Sequence, residues 1–222
     1  MSIANMIKKQ KRIFVVMLYE IINVYKYKKI INTKKVCLCV IGKNENLYIQ
    51  EFINYYNKQG YNHIFLYDNN DINDERFDDV IKNEKDFVSI INYRGFRGKE
   101  ENPQLDAYRD CYDKNNKYYK WLSFFDIDEF LEFNPKNIKI QNFLSKKKFR
   151  KCKVIKINWL YYMDKNSLYY KNISLQKRIK IPIYNTYINR HIKSTVMGNL
   201  PNNYWLKAQN PHTSLIINFL RK

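Results

Sequence analysis

The feature that most constrains the fold is a regular alternation of short apolar runs with longer segments of helical period. The run at residues 36–41 (VCLCVI) is apolar throughout, as expected of a strand buried on both faces. Residues 46–59 carry apolar side chains at helical spacing and end before Gly60, a common residue just past a helix. Strand-like runs recur at residues 63–67, 87–91, 121–125 and 153–159, and helical segments at 76–83, 102–115 and 138–148. This alternation predicts a mainly parallel α/β sheet, and the aromatic, polar pattern beyond residue 160 predicts a mixed C-terminal portion.

The composition is that of a globular protein with a basic excess. The 222 residues suit one domain with a full core, and 45% of them are hydrophobic. A formal net charge of +19 predicts attraction to phosphates on a nucleotide, a nucleic acid, or an anionic lipid or glycolipid. The excess is interpreted as diffuse, with short runs such as 146–148 (KKK) forming solvated faces. No segment matches a nucleic-acid-binding signature, so a basic nucleic-acid-binding module is kept only as the alternative from another class.

The four cysteines, Cys37, Cys39, Cys111 and Cys152, are predicted to be reduced thiols. No two of them form the C-x-x-C pattern, and Cys37 and Cys39 lie two residues apart on a predicted strand, with their side chains on one face. Zinc is therefore not expected. Buried reduced thiols are typical of a cytosolic protein.

The first 35 residues are predicted to form a separate basic segment ahead of a domain at residues 36–222. An apolar core at residues 13–18 lies between two groups of basic residues. It is far shorter than the ~20 residues of a membrane-spanning helix, and no small-residue cleavage site of a signal peptide follows it. One interpretation is a helix on an anionic membrane surface, and the other is a helix packed on the domain. The expected location is the cytoplasm, peripheral at the inner face of a membrane in the first interpretation.

Acidic and polar residues follow three of the predicted strands where each strand ends. They are residues 43–45 (KNE), 68–70 (DNN) and 126–129 (DIDE). Because ligands of an open parallel sheet bind outside the carboxyl ends of its strands, these side chains are predicted to share one rim. Strand alternation would place Asp126 and Asp128 on one face, where two carboxylates suit a hard divalent cation that also holds a diphosphate. The same alternation predicts that Glu129 points away from this pair and orients a ligand or loop from behind.

These segments resemble a known group of enzymes. The stretches VCLCVIGKNENLYIQEFINYYNKQGYNHIFLYDNND at 36–71 and QLDAYRDCYDKNNKYYKWLSFFDIDEFLEF at 104–133 are similar to the glycosyltransferase family 92 and family 2-like group. In that group a first strand runs into K-N-E, a second strand ends in Y-D-N, and a glutamine-containing helix precedes W-x-x-F-x-D-x-D-E-F. The resemblance covers over half of the chain, with weaker echoes at 158–160, 192–194 and 210–213. It implies the GT-A fold, with a Rossmann-like, mainly parallel sheet.

The resemblance implies a metal-dependent, hexosyltransferase-like enzyme of polysaccharide or lipopolysaccharide synthesis. Such an enzyme moves a sugar from a nucleotide-sugar, here expected to be a UDP-sugar, to a glycan or glycolipid acceptor with inversion. The implied cofactor is Mn²⁺ or Mg²⁺. The residues that match the group's site are Asn44 and Glu45 for the ribose or base, Asp68 for the base or ribose, Asp126 and Asp128 for the metal and its diphosphate, and His212 for the metal.

The residues that complete catalysis are less well defined by the sequence. An inverting transferase needs a general base that deprotonates the acceptor hydroxyl, and Glu129 and Asp164 are the candidates for this role. Asp128 is the third predicted catalytic residue, through the metal that it holds. The E-D pair common in family 2 is not found. Arg94, Arg97 and Lys99, in the glycine-containing loop 93–100, are candidates to bind the leaving diphosphate, with solvated loop charge as the alternative. The missing pair and a chain that ends soon after His212 keep open a degenerate homologue that binds nucleotide without turnover.

Overall fold

Six strands form a mainly parallel sheet in the computed structural model, which describes residues 35–98, 102–133, 138–163, 173–179 and 181–200. The strand order within these ranges is β3-β2-β1-β4-β8-β5. The six strands are β1 (Val36–Gly42), β2 (His63–Asp68), β3 (Val88–Asn92), β4 (Trp121–Phe124), β5 (Val154–Asn158) and β8 (Ile192–Met197). Strands β6 (Tyr161–Met163) and β7 (Ile181–Ile183) form a separate antiparallel pair.

The connections between the strands are mostly helical. The helices are α1 (Ile49–Gln59), α2 (Phe77–Val80), α3 (Pro103–Asn115), α4 (Ile140–Leu144) and α5 (Leu175–Arg178), with 3₁₀ turns at Lys147–Phe149 and Tyr187–Arg190. The helix predicted at 138–148 is therefore wrong in its length, because α4 ends at Leu144 and a 3₁₀ turn follows. The helix predicted at 102–115 is confirmed to within a residue.

The strand directions confirm a mixed α/β fold with a mostly parallel sheet. Strands β3, β2, β1 and β4 run parallel to one another. Strand β8 is antiparallel to both β4 and β5, so β5 runs in the same direction as β4. The strand order reverses between β1 and β4, which is the topological switch point where an open α/β sheet leaves a crevice for ligands.

The first strand is buried on both faces, as its continuous apolar run predicts. Val36, Leu38 and Val40 belong to the core layer under α1, whose buried residues include Phe52 and Tyr56. The alternate residues of β1 belong to the layer under α3, with Ala107, Tyr108 and Tyr112. The sheet is thus covered by helices on both faces at the point where β1 and β4 meet.

A disulfide joins the middle of the sheet to the helix above it. Cys39 on β1 is bonded to Cys111 on α3, while Cys37 and Cys152 are free thiols. The prediction that all four cysteines are reduced is therefore wrong for this pair. The partners are 72 residues apart in the sequence, and only the packing of α3 on β1 brings them together. The inference of a cytosolic protein from reduced thiols loses its support, because disulfides persist mainly in oxidising compartments.

The predicted N-terminal segment lies outside the described residues except for Lys35, which directly precedes β1. Within the described ranges, no helix combines the length and the apolar character needed to cross a bilayer.

Candidate active site

The acidic residues Asp126–Glu129 form a turn directly after β4, and we call them the acidic turn. Strand β4 ends at Phe124, because that residue is the last of the strand to pair with either of its neighbours, β1 and β8. The Glu129 N–H donates to the Asp126 carbonyl at 3.1 Å, which closes the turn. Strand alternation therefore does not extend through these residues. Glu129 was predicted to point away, and this is wrong: its Oε2 turns back and accepts the Asp126 N–H at 2.9 Å.

A buried isoleucine fastens the acidic turn to the end of β1. Ile127 is buried and lies against Gly42, the last residue of that strand. A Cβ on Gly42 would collide with the Ile127 Cδ1 atom and crowd the Phe77 ring. The absence of a side chain at Gly42 thus lets the acidic turn pack against the loop that carries Asn44 and Glu45.

A buried lysine neutralises the inner side of the acidic turn. The Lys193 side chain on β8 is 3% exposed, and its Nζ lies 2.6 Å from Asp126 Oδ2 and 3.3 Å from Glu129 Oε2. The Nζ also lies 5.7 Å from the centre of the Trp159 ring. A buried ammonium needs such partners, since an unpaired charge in a protein interior costs several kcal/mol. Sequence reasoning missed Lys193, although a lysine inside an apolar strand (IKSTVM) is a signal for a paired, buried charge.

Helix α3 supplies the remaining partners of Asp126. Gln104 Nε2 donates to Asp126 Oδ1 at 2.8 Å, and the Tyr108 hydroxyl donates to the same oxygen at 3.2 Å. Together with Lys193, these contacts engage both carboxylate oxygens of Asp126 in hydrogen bonds from the protein. Asp126 is therefore a fixed element of the site.

Asp128 and Glu45 form the outer side of the site. The Asp128 side chain is exposed to solvent, yet the surrounding protein raises its pKa, with the charge of Asp126 as a further cause. Burial raises the pKa of Glu45 to about 7, and the neighbouring carboxylates of Asp128, Glu75 and Asp126 add to this shift. Carboxylates that raise one another's pKa in this way form a cluster whose negative charge exceeds the single positive charge of Lys193.

Glu129 is the most strongly perturbed carboxyl group of the turn. Burial raises its pKa to about 8, against the opposing effect of Lys193, and Asp126 and Asp128 raise it further. Its Oε1 atom is buried without a hydrogen-bond partner among the residues that the structure describes. One oxygen of Glu129 thus holds the turn closed, while the other is buried without a hydrogen-bond partner among the described residues.

The donor atoms present suit a hard cation that takes few protein ligands. Among the described residues, no three acidic, histidine or cysteine side chains are arranged as a ready metal site. Asp126 is held by the protein, but Asp128 is exposed and close enough to Glu45 for their charges to interact. Carboxylate oxygens are the ligands of Mn²⁺ and Mg²⁺, and Mg²⁺ commonly takes one or two carboxylates and completes its shell with phosphate and water. The predicted ligand His212 and the predicted base Asp164 lie outside the described residues.

The end of β2 supports the same rim through a chain of hydrogen bonds. Asp68 is 2% exposed, and its Oδ1 accepts from the Asn70 backbone N–H at 3.1 Å and side-chain amide at 2.7 Å. The Asn70 Oδ1 in turn accepts the Asn44 N–H at 2.7 Å. Asn44 has a φ of 60°, a left-handed conformation that asparagine adopts more readily than most residues. Asp68 therefore holds the β1 and β2 loops together, and Asn44 is the exposed member of this chain.

The three basic candidates of the loop 93–100 have different environments. Arg94 bonds to Asp68 Oδ2 at 3.2 Å and donates to the carbonyl oxygens of four residues in the loop after β2, Asp71, Ile72, Asp74 and Glu75. Its guanidinium is thus engaged in loop structure. The Arg97 side chain is 77% exposed and lies 3.6 Å from Asp71, so it is free to reach a ligand. Lys99 lies outside the described residues.

A family profile and three similar proteins carry the same family description. A sequence profile of glycosyltransferase family 92 matches residues 33–215. A glycosyltransferase family 92 protein of Oryza sativa subsp. japonica is 31% identical over 108 residues, which cover 49% of this chain and 18% of the rice protein. Family 92 proteins of Arabidopsis thaliana and Ricinus communis are 30% and 31% identical, over 45% and 43% of this chain and 16% of each relative. The match thus spans less than a fifth of the length of these relatives.

Proposed function

The chain belongs to glycosyltransferase family 92, and we propose that it transfers a sugar from a nucleotide-sugar donor to a glycan or glycolipid acceptor. The observation that carries the proposal is the acidic turn at the switch point of the sheet, with Asp126 fixed inside and Asp128 exposed. We further propose that the sheet is a GT-A fold, that the donor is a UDP-sugar and that the reaction inverts the anomeric centre. The mostly parallel sheet and its reversal between β1 and β4 are compatible with that fold.

Asp126 and Asp128 are the proposed carboxylate ligands of a divalent cation, Mn²⁺ or Mg²⁺, with His212 as a further ligand. The oxygens of Asp126 already accept hydrogen bonds from the protein, so Asp128 would supply the accessible ones. Glu45, predicted from the sequence for the ribose or base, is close enough to Asp128 for their charges to interact and is proposed to assist in holding the cation. Such a cation would stabilise the negative charge that develops on the leaving diphosphate. Arg97 is exposed on the neighbouring loop and is the proposed second positive group for the diphosphate. Asn44, whose backbone conformation is fixed by Asn70, is the proposed contact for the ribose or base.

Lys193 gives the site its internal balance of charge. It pairs with Asp126 and Glu129, so that the turn presents Asp128 outward and only one of its three carboxylates lacks a cationic partner. Gln104 and Tyr108 fix the orientation of Asp126 from the other side. A site pre-organised in this way does not have to rearrange when the donor binds, which is the main source of electrostatic stabilisation in enzymes.

The general base is proposed to be Glu129 or Asp164. The buried Oε1 of Glu129, which has no partner among the described residues, supports this carboxyl group. Its brace to the Asp126 N–H keeps the group in place but also limits its reach toward an acceptor.

The direct test is turnover of a panel of UDP-sugars, measured as UDP release with and without soluble glycan acceptors. We expect release that needs a divalent cation, that stops with a chelator, and that falls about 100-fold or more in Asp128→Asn. The matched control is Asp113→Asn, an exposed aspartate on α3, which should retain full activity. Nucleotide binding without release under all conditions would contradict transfer and would identify a homologue that has lost turnover.

A further inference from the structure

The two-stranded sheet β6–β7 presents an apolar face to solvent. Tyr161 pairs with Ile183 and Met163 pairs with Ile181, so these four side chains lie on one side of the antiparallel pair. Tyr161, Met163 and Ile181 are 42%, 40% and 38% exposed. An isolated pair of strands does not bury such a face by itself, and large exposed apolar patches mark interaction sites.

Two further exposed tyrosines lie in the segment that a 3₁₀ turn bonds to this pair of strands. Asn189 in the turn accepts the Tyr161 N–H at 2.8 Å and donates to the carbonyl oxygens of Ile183 at 2.7 Å and Tyr184 at 3.0 Å. Tyr184 and Tyr187 are 71% and 75% exposed. We call the exposed apolar and aromatic side chains of this segment the aromatic patch, and they are Leu160, Tyr161, Met163, Ile181, Tyr184 and Tyr187.

The aromatic patch lies beside the proposed active site. It begins directly after β5, which runs parallel to β4, so the carboxyl ends of both strands meet at the same rim of the sheet. Trp159, the residue before Leu160, lies 5.0 Å from the His191 ring and 5.7 Å from the Lys193 Nζ. A partner on the aromatic patch would therefore sit next to the rim that carries the acidic turn.

The basic excess of the chain lies at its two ends, residues 1–34 and 134–222, and the second of these carries the patch, contrary to the diffuse distribution expected from the sequence. Residues 134–222 contain 19 Lys and Arg and a single acidic residue, Asp164. Residues 35–133 contain 13 Lys and Arg and 19 Asp and Glu. The side chains of Lys156, Lys177 and Arg190 are among the exposed basic groups of this part.

We propose that the aromatic patch and its basic surroundings dock the protein on an anionic phospholipid bilayer. Tyrosines combine an apolar ring with a polar tip and favour the boundary between headgroups and acyl chains. Lys and Arg near the surface add attraction to anionic lipids. Nucleic acid is the weaker match, because base stacking would use the tyrosines but not the aliphatic side chains Leu160, Met163 and Ile181. Docking in this way brings the rim with the acidic turn to the membrane surface. The membrane contact itself does not depend on the proposed sugar transfer.

The test is co-sedimentation of the full chain with phosphatidylcholine vesicles that contain or lack phosphatidylserine. We expect binding only to the vesicles with phosphatidylserine, and weaker binding at high salt. The double variant Tyr184→Ser/Tyr187→Ser should bind about tenfold more weakly or worse, because it loses the apolar anchors. Lys177→Gln should bind about fivefold more weakly, the effect expected of one basic residue at such a surface. The matched controls Tyr118→Ser and Lys117→Gln alter exposed residues after α3 and should bind like the wild type.

Three results would overturn the proposal. The first is no binding to either kind of vesicle by a protein that is folded by circular dichroism. The second is vesicle binding that the double tyrosine variant retains in full, since another part of the chain would then make the contact. The third is binding to RNA, without binding to vesicles, that the double variant loses, since the aromatic patch would then be a nucleic-acid surface.

Discussion

The disulfide between β1 and α3 predicts a large and specific loss of stability on reduction. Cys39 and Cys111 close a loop with a sequence separation of 72 residues. The loop-entropy relation for the unfolded chain gives about 4 kcal/mol at 25 °C for a loop of this size. A domain is usually stable by only about 5–15 kcal/mol in total, so reduction should remove a major part of its stability.

The assay is urea unfolding of the wild type with and without a thiol reductant. We expect the free energy of unfolding to fall by about 4 kcal/mol in the reductant. The double variant Cys39→Ser/Cys111→Ser should not respond to the reductant, and Cys152→Ser should respond like the wild type because Cys152 is a free thiol. The reduced protein should also bind nucleotide more weakly, since α3 carries the Gln104 and Tyr108 side chains that hold Asp126.

A thiol count gives the outcome that would refute this reasoning. The unreduced, unfolded protein should react as two free thiols, Cys37 and Cys152, out of four cysteines. Four reactive thiols, together with an unfolding midpoint that is the same with and without the reductant, would show that the Cys39–Cys111 disulfide does not form.

Three further predictions concern the charges around the site. Lys193→Met should lower the free energy of unfolding by about 3 kcal/mol, because it leaves two partly buried carboxylates without their cation. Lys117→Met, at an exposed position, should have no effect in the same urea assay. Arg94→Lys should cost about 2 kcal/mol in that assay, because an ammonium cannot replace the planar fork that binds several carbonyl oxygens at once. The pKa values of Glu45 and Glu129 rise from 4.5 to about 7 and about 8, so the folded state binds more protons than the unfolded state in that window, and the free energy of unfolding should fall as pH rises from about 5 to 8. Glu45→Gln should show a smaller fall over the same pH series.

The sheet could be predicted largely from local pattern. The run VCLCVI predicted a strand buried on both faces, and β1 has this environment because helices cover the sheet on each side. Strand β8 could not be recognised from periodicity, since its sequence IKSTVM is half polar. Its three polar residues, Lys193, Ser194 and Thr195, are buried, and the partners of Lys193 and Thr195 come from distant parts of the chain.

The candidate site was predictable in its location but less so in its geometry. The rule for ligands at the carboxyl ends of parallel strands located the acidic turn correctly beside the β1 loop. Strand alternation failed for Glu129, because the ladder ends at Phe124 and the chain then turns. Lys193 and the disulfide were missed for the same physical reason: both depend on long-range packing, which spacing in the sequence does not encode.

The most direct test of the central claim is the effect of Mn²⁺ and UDP on thermal unfolding of the wild type and of Asp128→Asn. A ligand at about 100 times its Kd, bound only by the folded state, stabilises it by about 2.7 kcal/mol, which is a readily measured shift in Tm. We predict that UDP raises the Tm only when Mn²⁺ is present and that Asp128→Asn abolishes the rise, while Asp113→Asn retains it. A rise that is equal in Asp128→Asn, or no rise with any nucleoside diphosphate in a folded wild type, would contradict the assignment of the acidic turn as the donor site.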